Sequence, residues 1–191
     1  MYKRQAGELH QGGFYRFSYD ITELLNLGKK NQLEVKVAKE SANRSINAAE
    51  RKADWWLFGG IYRPVWLEVL PQIHMKHFVL SADHKGKFQA SIDMEGDAKG
   101  HEIVVSVRSL KDGKTVYTSN GQTTITHPIN NSGKEQMISG EWTNIVPWST
   151  EAPNLYVVKL ELKNPEGKIV QTRETRIGFR TVEFFPQDGV Y

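Results

Sequence analysis

Apolar and polar residues alternate along much of this chain, and a period of two predicts β-strands. Residues 33–37 read Leu-Glu-Val-Lys-Val, and residues 156–163 alternate over a longer run. In such strands one row of side chains faces a core and the other faces water. The same reasoning predicts strands with an apolar face at Phe88, Ala90, Ile92 and Met94, at Ile103, Val105 and Val107, and over residues 64–69, where Trp66 is expected to be buried or half-buried.

Turn residues divide these strands into hairpins. Asn164-Pro165-Glu166-Gly167 predicts a turn into a strand over 168–176, and Asp112-Gly113 predicts a turn between strands at 104–110 and 115–118. One short helix is predicted over residues 22–27, with Asp20 as N-cap and Gly28 at its end. The polar stretch 38–53 is interpreted as a functional loop, because it is too long for a tight turn.

A domain boundary is predicted near Pro71 and Gln72. From about residue 73 to residue 183, six or seven short strands follow at the spacing of a β-sandwich, over a length typical of an immunoglobulin-like domain. The first seventy residues hold too few strands for a closed sandwich and resemble the second half of one. The predicted fold class is all-β.

Composition narrows the functional class. Of 191 residues, 39% are hydrophobic and 25% are charged, and the net charge of +3 is spread thinly, so no nucleic-acid partner is predicted. No apolar run approaches the roughly 18 residues of a membrane-spanning helix, so no membrane partner is predicted either. The absence of cysteine excludes disulfides and thiolate chemistry.

The first residues show no signal-peptide pattern, and they suggest a different hypothesis. Tyr2-Lys3-Arg4-Gln5 is the translation of TAT-AAG-AGA-CAG, which is part of a common sequencing-adaptor end. We expect residues 1–5 to be an artefact and the reading frame to be truncated upstream. Independent reads of the locus that encode MYKRQ before Ala6 would contradict this hypothesis.

Side chains that could support catalysis or bind a metal are scattered. Among six histidines, only His74 and His77 have a spacing close to that of metal ligands, and on a strand they point to opposite faces. No G-x-S-x-G elbow and no phosphate-binding glycine loop occurs. The glycosylation sequons at Asn43 and Asn130 are short patterns that commonly occur by chance.

Residues 54–69, DWWLFGGIYRPVWLEV, place an aspartate beside aromatic residues. Trp55 and Trp56 either plug the end of a sandwich or stack on a sugar ring. Asp54 is either a turn residue or a ligand for a polar group. From these residues alone, plugging and a turn are the favoured interpretations.

The order of several motifs resembles glycoside hydrolase family 2. GELHQGGF at 7–14, FSYDIT at 17–22 and NQLEVKV at 31–37 are similar to its sugar-binding jelly-roll domain, and residues 54–69 are similar to that domain's last signature, D-x5-G-I-[YFH]-R. Residues 147–149, 153–156 and 177–182 are similar to the family's immunoglobulin-like domain. The β-galactosidases are the most similar members, and β-glucuronidases and β-mannosidases share the layout.

This resemblance implies a partial galactose-binding-like jelly roll over 1–71, an immunoglobulin-like β-sandwich over 72–184, and the start of a linker to a (β/α)8 barrel over 185–191. Family members hydrolyse β-glycosides with retention, using two glutamates about 5 Å apart on that barrel. Because the sequence does not include the barrel, the chain is expected to be inactive by itself and is assigned no catalytic residue.

The resemblance also gives Asp54 a chemical role. In relatives this aspartate reaches into the active site of the barrel and accepts hydrogen bonds from sugar hydroxyls, a role that suits a carboxylate. In some β-galactosidases it also neighbours a sodium ion. Trp55 is a second substrate-binding candidate, through stacking, whereas Arg63 is expected to form an internal salt bridge and His10 to have no shared role.

The implied partners belong to the complete enzyme. It would act on a β-galactoside-like carbohydrate, pack against its own catalytic barrel and could hold Na⁺ or Mg²⁺ or form an oligomer, while this chain is assigned no cofactor. A bacterial periplasmic or secreted location is favoured over the cytoplasm. The alternative to a glycosidase fragment is a free-standing carbohydrate-binding or adhesion module of two β domains.

Overall fold

The structure, a computed structural model, describes residues 9–52, 59–131, 134–187 and 189–190. Two compact units are present, Met1–Leu67 and Glu68–Tyr191. Residues 1–5, to which the artefact hypothesis applies, lie outside the described residues, as do Asp54, Trp55 and Trp56.

The second unit is a β-sandwich. Its strands are β1 (His74–Ala82), β2 (Lys87–Glu95), β3 (Glu102–Ser109), β4 (Thr124–Pro128), β5 (Glu135–Glu141), β6 (Tyr156–Lys163), β7 (Ile169–Ile177), β8 (Phe184–Phe185) and β9 (Gly189–Val190). Among the described residues, β1-β2-β5 form one antiparallel sheet and β4-β3-β6-β7 form another. The short strands β8 and β9 pair with each other.

The predicted apolar rows form the core between the two larger sheets. Their side chains are at most 6% exposed and belong to a single hydrophobic cluster. Both sheets contribute to this cluster, so each has one apolar face, as packed sheets require. The all-β fold class is therefore confirmed. The rows are Phe88, Ala90, Ile92 and Met94 of β2, Ile103, Val105 and Val107 of β3, and Tyr156, Val158, Leu160 and Leu162 of β6.

Tyr156, at the start of β6, connects the preceding loop to the core through hydrogen bonds and ring packing. Its hydroxyl accepts a hydrogen bond from Val146 N at 2.8 Å and donates to Val146 O at 3.3 Å. Its ring meets Phe179 edge-on, with centroids 5.1 Å apart. A tyrosine that bonds back to an upstream backbone group is a feature of immunoglobulin-like sandwiches, where it closes one corner. Here the bond joins residues ten positions apart.

One predicted hairpin is confirmed and the other is corrected. Asn164 closes the turn between β6 and β7, because its carbonyl accepts from Gly167 N and its side chain accepts from Lys168 N. The predicted strand 115–118 is wrong. It is reduced to two isolated bridges, Arg108 to Thr115 and Thr118 to Trp142. The physical reason is that β4 occupies this edge of β3 as far as Ser106, so only residues 107–109 remain to pair with residues 114–116.

Residues 9–52 and 59–73 contain no strand, so the strand predictions at 33–37 and 64–69 are wrong. Leu33 is 78% exposed and Val35 56% exposed. A single extended segment cannot satisfy its own N–H and C=O groups, so alternation becomes a strand only beside a partner ladder. No such partner occurs among residues 9–52 and 59–67.

The helices of the described residues are in the first unit and differ from the prediction. The predicted helix at 22–27 is only a 3-10 turn, Thr22–Leu24, and Asp20 accepts from Thr22 N without capping a longer helix. An α-helix, α1 (Arg44–Arg51), occupies the stretch that was expected to be a loop. Neither described helix has the length and apolar character needed to span a membrane.

Candidate functional site

The predicted substrate contacts, Asp54 and Trp55, lie in the segment 53–58, outside the described residues. What the structure does describe is the chain on both sides of this segment, namely α1 before it and the Gly59-Gly60 pair after it.

Helix α1 begins at a side-chain cap. Asn43 Oδ1 accepts hydrogen bonds from Ser45 N at 3.0 Å and Ile46 N at 3.4 Å. These bonds satisfy two of the free N–H groups of the first helical turn, which is the usual work of an N-cap asparagine. Asn43 also belongs to a predicted glycosylation sequon, but here its amide oxygen serves the helix.

The flanks of segment 53–58 both contact Lys39. On the first flank, Arg51 Nη1 donates to Lys39 O at 3.1 Å, and Arg51 forms an ion pair with Glu40 at 3.3 Å. On the second flank, Gly59 lies beside the aliphatic part of the Lys39 side chain. A Cβ added to Gly59 would lie 3.8 Å from it. Arg51 and Gly59, one on each side of segment 53–58, therefore both lie beside Lys39.

Helix α1 is also bonded to the glycine pair of the GELHQGGF motif. Gly13 N donates to Glu50 Oε1 at 2.7 Å. Gly12 has a φ of +109°, and a Cβ there would lie 2.7 Å from the Tyr15 ring. Only glycine fits this bend, which allows the backbone of Gly13 to approach Glu50. The sequence contained the motif, but no pattern indicated Glu50 as its partner.

His10 is part of an aromatic cluster. Its ring stacks on Phe17 with centroids 3.7 Å apart and meets Tyr15 edge-on at 4.9 Å. Phe17 in turn meets Tyr19 edge-on at 5.6 Å. The contacts of the ring are thus the faces and edges of neighbouring aromatic rings.

Two arginines of the first unit lie over aromatic rings. The guanidinium of Arg16 lies 4.8 Å from the centroid of Trp66, and that of Arg63 lies 5.6 Å from the centroid of Tyr62. Trp66 is 56% exposed, so the prediction that it is buried or half-buried in a strand is wrong. Without a partner strand, the ring of Trp66 contacts the guanidinium of Arg16 and not a hydrophobic core. The described contact of Arg63 is likewise aromatic and not the expected carboxylate.

His74 and His77 lie on the same face of β1, contrary to the prediction. A β-bulge precedes His77, so His74 pairs with Glu95 and His77 pairs with Asp93. Asp93 and Glu95 are two residues apart on β2, so their side chains share a face of the sheet. Because the bulge adds one residue to β1 between the two pairs, His74 and His77 lie on this face as well. His74 Nδ1 bonds to Pro71 O at 2.8 Å. No group of three or more potential metal ligands occurs among the described residues.

Two carboxyl groups with shifted pKa values lie in turns of the second unit. Ser109 and both the backbone and the ammonium of Lys114 bond to Asp112 and lower its pKa to about 2. Burial acts to raise the pKa of Asp83, but two backbone N–H groups of its own turn outweigh this effect and lower it. Both shifts favour the ionised form, as expected for carboxylates that hold a turn together.

Residues 72–180, more than half of the chain, match the family described as glycosyl hydrolases family 2. The chain belongs to this family. The match extends over the sandwich from the segment before β1 to Arg180, and it agrees with the resemblance of the quoted motifs.

Curated relatives extend the similarity into the first unit. This family-2 chain is 28% identical to a putative β-glucuronidase of Formosa agariphila, which it matches over 95% of its own length and 21% of the relative's. It is 30% identical to a β-galactosidase of Thermoanaerobacter pseudethanolicus, over 92% and 23% of the two chains. The family-2 chain thus spans about a fifth of the length of the curated relatives it matches.

A solved structure shows the same fold. The chain resembles the β-glucuronidase of Bacteroides uniformis with a TM-score of 0.61 and 22% sequence identity, over 91% of this chain and 22% of that one. At this level of identity the likeness concerns the fold alone. The family, the β-sandwich and the partial coverage are therefore established.

Proposed function

We propose that this chain is a non-catalytic portion of a retaining β-glycosidase that hydrolyses terminal β-linked sugars, with a β-galactoside as the favoured substrate. The proposal is supported by the family match and by relatives that are β-galactosidases and β-glucuronidases about five times its length. The two catalytic glutamates of such enzymes lie on a barrel domain, which in this proposal belongs to the remainder of the protein.

The observation that carries this proposal is the exposure of apolar side chains in the first unit. Leu33, Val35 and Val37 are between 49% and 78% exposed, although their alternation is that of a half-buried strand. A domain complete in itself would cover such a row, because large exposed apolar surfaces favour association. We therefore assign residues 1–71 to the later part of a sugar-binding jelly roll that pairs with further strands.

The other parts of the chain are assigned to the further domains of a family-2 glycosidase. Residues 72–184 form the immunoglobulin-like domain, which acts as a spacer and packing partner, and residues 185–191 begin a linker to the barrel. In the complete enzyme the Asp54 carboxylate accepts hydrogen bonds from adjacent sugar hydroxyls, while Trp55 stacks on the sugar. If the complete enzyme binds a sodium ion, Asp54 would lie next to it. A carboxylate suits this role because it can accept several hydrogen bonds at once.

Two measurements test the proposal. The first is the nucleotide sequence of the locus from independent reads, which is expected to continue into barrel repeats with two glutamates. The second is the hydrolysis of 4-nitrophenyl β-galactoside by the 191-residue chain and by the complete protein. We expect activity only in the complete protein.

A stop codon directly after Tyr191, together with a stable 191-residue protein that binds carbohydrate, would contradict the proposal and favour the free-standing module. Activity of the 191-residue chain by itself would contradict the assignment of catalysis to the barrel. A complete protein that cleaves β-glucuronides but not β-galactosides would overturn only the choice of sugar.

A further inference from the structure

A groove of about 480 Å³ opens on the second unit where the ends of β1 and β7 meet the loop that contains Trp148. Its volume lies within the range of roughly 300–1,000 Å³ that is usual for ligand pockets. The motifs around Trp148 and Arg180 are more than thirty residues apart in the sequence, and the fold brings both to this groove.

The groove carries two positive charges that the described structure does not neutralise. Arg176 and Arg180 both line it, and no carboxylate is found among its described lining residues. The ion pairs of the described second unit involve other arginines, namely Arg108 with Glu174 and Arg173 with Glu68. Guanidinium groups that share a concave surface without a counter-charge attract anions.

One of these guanidinium groups is held in place. Arg180 lies over the ring of Trp148, 4.9 Å from its centroid, and Arg180 N donates to Ala82 O at 3.2 Å. The backbone N–H of Trp148 donates a hydrogen bond to Phe179 O at 2.9 Å, which fixes the chain at this residue. Trp148 is also fixed by Gly178, where a Cβ would lie 2.8 Å from the indole. A guanidinium that stacks on a ring keeps its in-plane N–H donors for an acceptor, so little ordering is needed on binding.

Apolar side chains lie beside the two arginines. Leu80, Leu155 and Val182 line the same groove, and Val182 is 48% exposed. An inorganic anion would leave these side chains in water, whereas a ligand with an apolar body would cover them. The geometry points to a binding site for a small organic anion, in which Arg176 and Arg180 pair with a carboxylate and the apolar side chains contact the body that carries it.

The test uses the 191-residue chain and three matched probes. Benzoate carries both the carboxylate and an apolar ring, benzyl alcohol carries the ring without the charge, and acetate carries the charge without the ring. Binding is followed by NMR chemical shifts of the backbone amides during titration. We expect benzoate to shift the amides of Arg176 and Arg180 and to bind at least roughly tenfold more tightly than either other probe.

Charge variants identify the site. Arg176→Gln and Arg180→Gln are each expected to weaken benzoate binding about tenfold. Lys111→Gln, which removes the same charge from an exposed turn outside the groove, should leave it unchanged. Arg176 is an exposed residue of β7, so its variant should keep the fold, which thermal unfolding would check. Arg176→Lys is expected to fall between the wild type and Arg176→Gln, because it keeps the charge and loses the planar fork.

Three results would overturn the inference. The first is the absence of benzoate binding to the wild-type chain, and the second is an equal loss of binding in Lys111→Gln. The third is equal affinity for acetate and benzoate, which would show that the apolar side chains play no part. None of these readouts depends on glycosidase activity, so the inference and the proposed function stand or fall separately.

Discussion

The side chain of Gln171 on β7 forms hydrogen bonds with both the backbone N–H and the backbone carbonyl of Met75 on β1. Its Oε1 accepts from Met75 N at 2.6 Å, and its Nε2 donates to Met75 O at 3.5 Å. Both residues are buried, and Met75 stands beside the bulge where the pairing of β1 and β2 shifts register. A side chain from one sheet thus satisfies the backbone of the other at the point where the ladder is interrupted.

Replacing Gln171 should destabilise the sandwich. In Gln171→Ala the buried N–H of Met75 loses its acceptor, which we expect to lower the free energy of unfolding by about 1–3 kcal/mol. Urea denaturation measures the change. Gln89→Ala, at an exposed position of β2, is the matched control and should change stability by less than about 0.5 kcal/mol. Equal losses in the two variants would argue against this role for the bond to Met75.

The hydroxyl of Tyr156 should contribute to stability through Val146. Tyr156→Phe keeps the ring packed on Phe179 and removes only the two hydrogen bonds to the loop, so we expect a loss of about 1–2 kcal/mol in urea denaturation. Tyr117→Phe is the control, because Tyr117 is 49% exposed. If Tyr156→Phe were as stable as the wild type, the loop would have to be held by other contacts.

Gly86 should be sensitive to alanine for a steric reason. Its φ is +94°, and a Cβ there would overlap the carbonyl oxygen of Trp142, whose N–H donates to Gly86 O at 2.8 Å. Gly113 has a similar φ of +70° but nothing within 4 Å of a Cβ. We expect Gly113→Ala to cost about 1–2 kcal/mol through the backbone conformation alone, and Gly86→Ala to cost more. Thermal unfolding of both variants separates the two effects, and similar losses would contradict the overlap.

Asp112 should make stability depend on pH at low pH. Its folded pKa of about 2 lies below the value of about 3.9 for an unfolded aspartate, so folding favours the ionised form. The contribution is fully present above about pH 4 and is lost as the pH falls towards about 2. Urea denaturation between pH 5 and pH 2 measures the free energy of unfolding of wild type and Asp112→Asn. The difference between the two should shrink as the pH falls. A difference that is independent of pH would contradict the assignment.

The proposed role of Asp54 can be tested in the complete enzyme. Asp54→Ala removes the acceptor for the sugar hydroxyls, so we expect kcat/KM for a β-galactoside to fall by about 10–100-fold without loss of the folded state. Glu166→Ala, in the exposed turn between β6 and β7, is the control and should leave the kinetics unchanged. Unaltered kinetics in Asp54→Ala, with normal thermal unfolding, would contradict the sugar contact.

The candidate site was only partly accessible from the sequence. The motif around Gly12 and Gly13 was visible, but its bond to Glu50 joins residues 37 positions apart, and no local pattern indicates such a partner. Helix α1 was missed because its sequence, RSINAAER, has a polar composition, while the signal that could have found it was Asn43 as an N-cap. The groove beside Trp148 was missed because its arginines converge only through the sandwich.

The sequence by itself determined those strands whose pairing partners lie in the same sandwich. Alternation in β2, β3 and β6, with a turn at Asn164, was enough because each strand has a neighbour that pairs with it and a facing sheet that covers its apolar row. Identical alternation at 33–37 did not produce a strand. Only the tertiary structure decided that outcome, and also the bulge that reverses His77, because backbone pairing is a property of two segments and not of one.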